Sequence, residues 1–284
     1  MQRAMLFCAT VALATLAGCS SGPQPRADTA ADVDAANLSR LDAALAGDWR
    51  SAENRARDVY RHPRETLAFF GVRPEQTVVE ITPGGGWYAE ILAPYLRDDG
   101  HYIAAVVDPD ALPEGRGRTS QQAQHDNLRN RFDGAPALFG DARIVAYDPA
   151  APRFGPDNSA DVVVTFRNVH NWRASGQAEG MFRGFYNVLR PGGVLGVVEH
   201  RATGDVPDDD RSGYVGQSQV IALAQAAGFR VDASSEVNAN PRDTRDHPNG
   251  VWTLPPVNNH PPEDAARYRE IGESDRMTLR FVKP

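Results

Sequence analysis

Residues 77–89 read TVVEITPGGGWYA, and this stretch decides the fold. Thr77 to Ile81 is a short β-branched run of the kind buried on both faces of a sheet. Tyr88 to Leu96 then carries Ile91, Leu92 and Leu96 at helical spacing. Between strand and helix, Gly84-x-Gly86-x-x-Ala89 lets the backbone approach a ligand closely, while the helix start offers unpaired N–H groups to an anion. A glycine-rich turn alone is a weak signal, and its order with acidic residues strengthens it. Glu80 sits inside the first strand, Asp108 ends a second strand about twenty residues on, and Asp148 ends a third. No Gly-Lys-Ser/Thr follows the turn, which excludes a Walker loop.

Outward from this turn the chain alternates. Upstream, Leu38 to Ala46 and about Glu53 to Tyr60 have helical spacing, and Pro63 opens a helix from Arg64 to Phe70 that Gly71 closes. Downstream, strands are expected over 102–107, 143–147, 161–166, 194–199 and 229–237, with helices over 120–132, 177–189 and 218–227. Residues 238–275 break the rhythm with many Pro, Gly, Asn and Asp, reading as a long loop or insertion before a closing strand, Thr278 to Val282. Short apolar runs alternating with helices make an α/β protein, a doubly wound, mostly parallel sheet with helices on both faces.

The amino terminus reads as an address. Arg3 precedes an uncharged stretch, Ala4 to Gly18, too short to span a hydrocarbon core of about 30 Å as a helix but suited to a signal peptide. Its end, Leu16-Ala17-Gly18-Cys19, resembles the bacterial lipobox, which implies that residues 1–18 are a lipoprotein signal peptide and that Cys19 is lipidated. An ordinary signal peptide with an incidental cysteine is the alternative. Ser20 after the cysteine resembles an outer-membrane sorting signal, implying a lipid-anchored protein on the periplasmic face of the cell envelope. Residues 19–37 are then Cys19 and a flexible polar tether, and 38–284 a single folded domain with an insertion at about 238–275.

Composition narrows the chemistry. Of 284 residues, 41% are hydrophobic, which excludes wholesale disorder. Thirty Lys and Arg against 37 Asp and Glu give a net charge of -7 without a basic run, so nucleic acid is not expected as a partner. The 2 cysteines, Cys8 and Cys19, exclude a disulfide framework and a Cys-rich zinc site. With Cys8 removed and Cys19 acylated, thiol catalysis is excluded as well. No feature speaks to oligomeric state.

Residues Glu80 to Gly86, Asp108, Asp148, the run Asp157-Asn158-Ser159-Ala160-Asp161 and the run Leu189-Arg190-Pro191-Gly192-Gly193 together resemble the class I S-adenosylmethionine-dependent methyltransferases. The resemblance covers roughly residues 57–237. Arg57-Asp58, Phe69-Phe70-Gly71-Val72, Thr82 to Gly86 and Gly196-Val197-Val198-Glu199-His200 look more narrowly like a group of exported bacterial predicted methyltransferases. It implies a Rossmann-like seven-stranded sheet whose last strand is antiparallel between the fifth and sixth. It implies S-adenosyl-L-methionine as cofactor, held by Glu80, Thr82, Gly84, Gly85, Gly86, Asp108, Asp148, Arg167 and Asn168. Asp108 would grip the ribose hydroxyls, Asp148 would lie near the adenine, and acidic lining would hold the cationic ligand. Thr82 departs from the family pattern, which has glycine there, and Pro83 stiffens the turn. The structural alternatives are close helix packing for Gly84 and Gly86 and strand-end turns for Asp108 and Asp148.

The acceptor side is expected at the carboxyl ends of the fourth and fifth strands, in the segments from Arg167 to Trp172 and from Glu199 to Arg201. His170 and His200 are the candidate catalytic bases, and Tyr88, Tyr214 and Trp172 are either pocket walls or core. A metal site from His170, Glu199 and His200 lacks any H-x-x-x-H spacing, so no metal is assigned. No Asp/Asn-Pro-Pro-aromatic tetrad follows the fourth strand, which leaves a methyl transfer to a small-molecule or envelope acceptor. Two other readings stay open: a non-catalytic lipoprotein that binds a nucleoside or other small ligand on the same fold, and a metal-assisted hydrolase.

Overall fold

Each apolar run of the sequence finds a neighbour in one sheet. In the computed structural model, which describes residues 30–284, the first four strands are β1 (Thr77–Ile81), β2 (His101–Val107), β3 (Arg143–Tyr147) and β4 (Ala160–Phe166). β5 (Leu189–His200), β6 (Arg230–Ser235) and β7 (Arg276–Val282) complete it, in the spatial order β3-β2-β1-β4-β5-β7-β6. Strands β1 to β5 pair in parallel, and β7 enters antiparallel between β5 and β6. This is the doubly wound sheet with an antiparallel last strand that the sequence implies. β1 lies in the middle and is buried continuously from Val78 to Ile81, as a strand covered on both faces must be.

Helices cover both faces. α1 (Ala30–Leu45), α2 (Ala52–Arg55), α3 (Asp58–Arg61) and α4 (Pro63–Phe70) precede the sheet, and α5 (Ala89–Leu96), α6 (Arg116–Gly134) and α7 (Pro136–Phe139) follow its first strands. From these, Leu41, Leu67, Phe70, Leu92, Leu128 and Phe139 pack with Val78 in one apolar cluster. α8 (Val169–Ala174), α9 (Ala178–Val188) and α10 (Gln217–Ala226) send Trp172, Phe182, Phe185 and Val220 into a second cluster with Val79 and Ile81. The period-two alternation of β1 divides its residues between the two clusters.

Three expectations are corrected. α1 begins at Ala30, inside the stretch read as tether, because alanine, the best helix former, recurs through 30–37. The helix expected over 53–60 is split into α2 and α3 at Arg57, which turns to meet Glu273 with Nε–Oε1 2.7 Å. Residues 238–275 are no bare loop: they hold two 3₁₀ turns and α11 (Ala265–Ile271). Their polar residues, which looked like turn formers, are buried partners; Asp243 accepts from the Tyr214 hydroxyl at 2.9 Å and from the Asp275 N–H at 2.7 Å. Residues 1–29, with the expected signal peptide, Cys19 and the first part of the tether, lie outside the described residues.

Candidate functional site

The turn after β1 bends in the left-handed region at Thr82 (φ 52°), Gly84 (φ 58°) and Gly86 (φ 76°). For Thr82 this costs about 1–2 kcal/mol relative to a glycine. Its hydroxyl lies 2.8 Å from that of Tyr147, and its N–H donates to the Ala105 carbonyl, so the neighbouring strands hold the strained residue in place. The glycines divide in role. A Cβ at Gly84 or Gly85 would meet nothing within 4 Å, whereas one at Gly86 would meet Leu128 of α6 at 3.2 Å. Gly84 and Gly85 leave open space, and Gly86 serves helix packing.

That open space is a cleft of about 330 Å³, within the range of small-ligand sites. It brings together Thr82, Gly84, Gly85, Arg167, Asn168, His170 and His200 from the expected set. Glu80, Gly86, Asp108 and Asp148 do not line it. Glu80 is buried beneath the turn and accepts from the Tyr102 hydroxyl at 2.6 Å; burial pushes its carboxyl up to about 7. Asp108 accepts from the Asp110 N–H at 3.0 Å and Asp148 from the Ala150 N–H at 2.8 Å, so each shapes the turn at its strand end. Asn168 ties the two loops: its side-chain amide donates to the Ile81 carbonyl at 3.2 Å and the Thr82 carbonyl at 3.3 Å.

The acceptor side is organised by Glu199, which is fully buried. Its Oε1 lies 3.0 Å from His170 Nδ1 and accepts from the His200 N–H at 2.8 Å, while Oε2 accepts from the His170 N–H at 3.3 Å. A carboxylate on Nδ1 favours the tautomer in which Nδ1 carries the hydrogen and Nε2 is left as a proton acceptor. His200 hydrogen-bonds Ser274 Oγ through Nδ1, and burial, with His170 and Arg167 nearby, holds its pKa well below the ordinary histidine value. It is neutral at pH 7.

One ligand atom from each of His170, Glu199 and His200 comes within 4.8 Å of the others, a grouping that sequence spacing did not lead one to expect. The carboxylate and both Nδ1 atoms are already engaged, and arginines line the same cleft, which raises the cost of a divalent cation. Of the expected aromatic walls, Tyr88 is core, stacked on Phe166 with centroids 3.5 Å apart, and Trp172 and Tyr214 are buried. Trp87 and Trp252 line the cleft instead.

Acidic lining was expected, and the lining is basic. Arg57 and Arg61 from the α2–α3 segment and Arg167 from the end of β4 face the cleft, with Glu273 as the acid among them. Burial alone would raise the Glu273 carboxyl, but Arg276, Arg61, Arg57 and Arg167 hold it at about 2. Sequence reading missed Arg61, Glu273 and Trp252 because they come from segments with no motif.

Two curated relatives match part of the chain. An arsenite methyltransferase of Halobacterium salinarum is 25% identical over 142 residues, 50% of this chain and 32% of that protein. The ubiquinone/menaquinone biosynthesis C-methyltransferase UbiE of Citrobacter koseri is 29% identical over 136 residues, 48% of this chain and 47% of that protein. The matched stretch thus spans less than half the length of either relative. No family model matches. Among solved structures, a SAM-dependent methyltransferase from Aquifex aeolicus aligns with TM-score 0.55 and 13% identity, over 87% of this chain and 98% of that one. The fold is that of S-adenosylmethionine-dependent methyltransferases. The [4+2]-cyclase SpnF aligns equally well, with TM-score 0.55 and 18% identity over 87% of this chain and 93% of its own. This fold therefore hosts more than one reaction, and the site must decide.

Proposed function

We propose that the protein is an S-adenosylmethionine-dependent methyltransferase acting on a small-molecule or envelope acceptor. The observation that carries this reading is the meeting, in one cleft, of the open Thr82–Gly85 turn with a histidine held by a buried carboxylate. Both curated relatives are named as methyltransferases, which supports it. The residues fit the cofactor where the turn is open: Thr82, Gly84 and Gly85 would hold it. When bound, S-adenosylmethionine supplies an electrophilic methyl group on a sulfonium. His170 Nε2 takes the proton of an acceptor that must lose one, Glu199 steadies the charge that develops on the imidazole, and alignment in the cleft supplies the rest.

Calorimetry with S-adenosylmethionine and with its demethylated product tests the reading. Binding of both is expected, and failure of both to bind overturns it. We also propose that Cys19 carries lipid and holds the domain at the periplasmic face of the envelope, on the strength of Leu16-Ala17-Gly18-Cys19. Among the described residues no helix is long and apolar enough to cross a membrane. Cys19→Ser should move the protein from the membrane to the soluble fraction of fractionated cells, and retention on membranes counts against the anchor.

A further inference from the structure

We infer that Arg57, Arg61 and Arg167 form an oxyanion site in the cleft and that it takes a phosphate or carboxylate group of the methyl acceptor. The cleft gathers these three guanidinium groups against one carboxylate, Glu273, which Arg276 shares at 2.9 Å. Among the described residues no carboxylate lies within ion-pair distance of Arg167, which is half-buried. Arg61 is 2% exposed, and its Nη2, like that of Arg57, has no hydrogen-bond partner among the described residues. Buried polar groups are mostly hydrogen-bonded, so an unpartnered guanidinium N–H beside a cleft has room for an acceptor that a water, an ion or a ligand can supply.

The cluster is held in place. The Arg61 guanidinium lies 4.5 Å from the centre of the Trp87 ring, and the Trp87 indole N–H donates to the Asn54 carbonyl at 3.0 Å. Arg167 sits in the left-handed region, φ 63°, a conformation that costs energy and persists here because Arg167 N–H donates to the Val198 carbonyl at 2.7 Å. Burial, with the like charges around them, draws Arg61 down to about 9 and Arg167 down to about 10. An oxyanion would relieve that repulsion, and planar guanidinium forks match phosphate and carboxylate in geometry.

Assigning the anion to the acceptor rests on the methyltransferase reading; the oxyanion site itself does not. A sulfonium cofactor adds positive charge to a cleft whose named residues already carry an excess of it. An anionic acceptor balances the pair, and a neutral or cationic one does not.

The test uses the full-length protein, with inorganic pyrophosphate and succinate as probes in calorimetry, alone and in the presence of S-adenosylhomocysteine. At least one probe is expected to bind, more weakly at higher salt, and Arg167→Gln should weaken it by about tenfold or more. Arg57→Gln, on a different segment of the chain, should do the same and guards against a folding defect in the first variant. The tighter probe distinguishes a phosphate-bearing from a carboxylate-bearing acceptor. S-adenosylhomocysteine should bind alongside the probe. If neither probe binds, or the variants bind unchanged, the oxyanion site is wrong. If the probe and S-adenosylhomocysteine exclude each other, the arginines hold the cofactor's own carboxylate and the acceptor assignment falls. Probe binding without S-adenosylhomocysteine binding supports the oxyanion site while removing the methyltransferase reading.

Discussion

Glu199 is the residue through which β5 acts on the cleft. Placed at the end of a central strand with no exposure, it would be costly there without partners, and it has three: two backbone N–H groups and the ring of His170. The arrangement fixes which nitrogen of His170 faces outward. His170→Gln should therefore lower turnover by about 10²–10⁴ for an acceptor that must be deprotonated, while leaving the affinity for S-adenosylhomocysteine within about threefold. Turnover unchanged by the substitution would show that the acceptor needs no base or finds another. Glu199→Gln should lower turnover less, since the ring stays in place but loses the charge that steadies its protonated form.

At the scale of elements, the turn between β1 and α5 does two jobs with neighbouring glycines. Gly86→Ala adds a Cβ 3.2 Å from Leu128 at φ 76°, so it should cost stability, about 1–2 kcal/mol by denaturant titration, and leave ligand affinity nearly intact. Gly84→Ala, at φ 58° with open space ahead, should lose a similar amount from strain but also weaken cofactor binding, because the added methyl group enters the cleft. Equal effects of the two on affinity would mean that the turn works as a single packing unit. The strands were legible because each is a short apolar run, whereas the antiparallel position of β7 came only from the resemblance to the methyltransferases. The beginning of α1 and the interior of 238–275 were not, because small and polar residues have no period, and burial of Asp243 depends on Tyr214 and Asp275 far along the chain. The histidines were legible from their place at strand ends. The arginine cluster was not, since Arg57 and Arg61 of the α2–α3 segment, Arg167 after β4 and Glu273 before β7 lie far apart in sequence and only the fold brings them together.

For the whole molecule, Glu273 is the tie between the first helices and the last strand. It accepts from Arg57 at 2.7 Å and from Arg61 at 3.3 Å, both on the α2–α3 segment, and from Arg276 of β7 at 2.9 Å. The segment that walls one side of the cleft is thus bound to the sheet through one buried carboxylate. Its pKa is held at about 2 in the folded chain against an ordinary 4.5, so folding favours the ionised form. The sign follows: the stabilisation is complete above the unfolded value, near pH 4.5, and is lost as the pH falls through about 2. At roughly 1.4 kcal/mol per pH unit the contribution is about 3 kcal/mol, with little loss to solvent screening because the side chain is 3% exposed. Glu273→Gln should remove that part of the acid limb in urea midpoints measured from pH 2 to 7. It should also destabilise the protein at pH 7 by about 3–5 kcal/mol, because three guanidinium groups lose their shared acid. An acid limb identical to that of the wild type would show that Glu273 does not carry the link. Loss of the limb with an oxyanion probe still bound would separate the stabilising role of Glu273 from the binding role of the arginines around it.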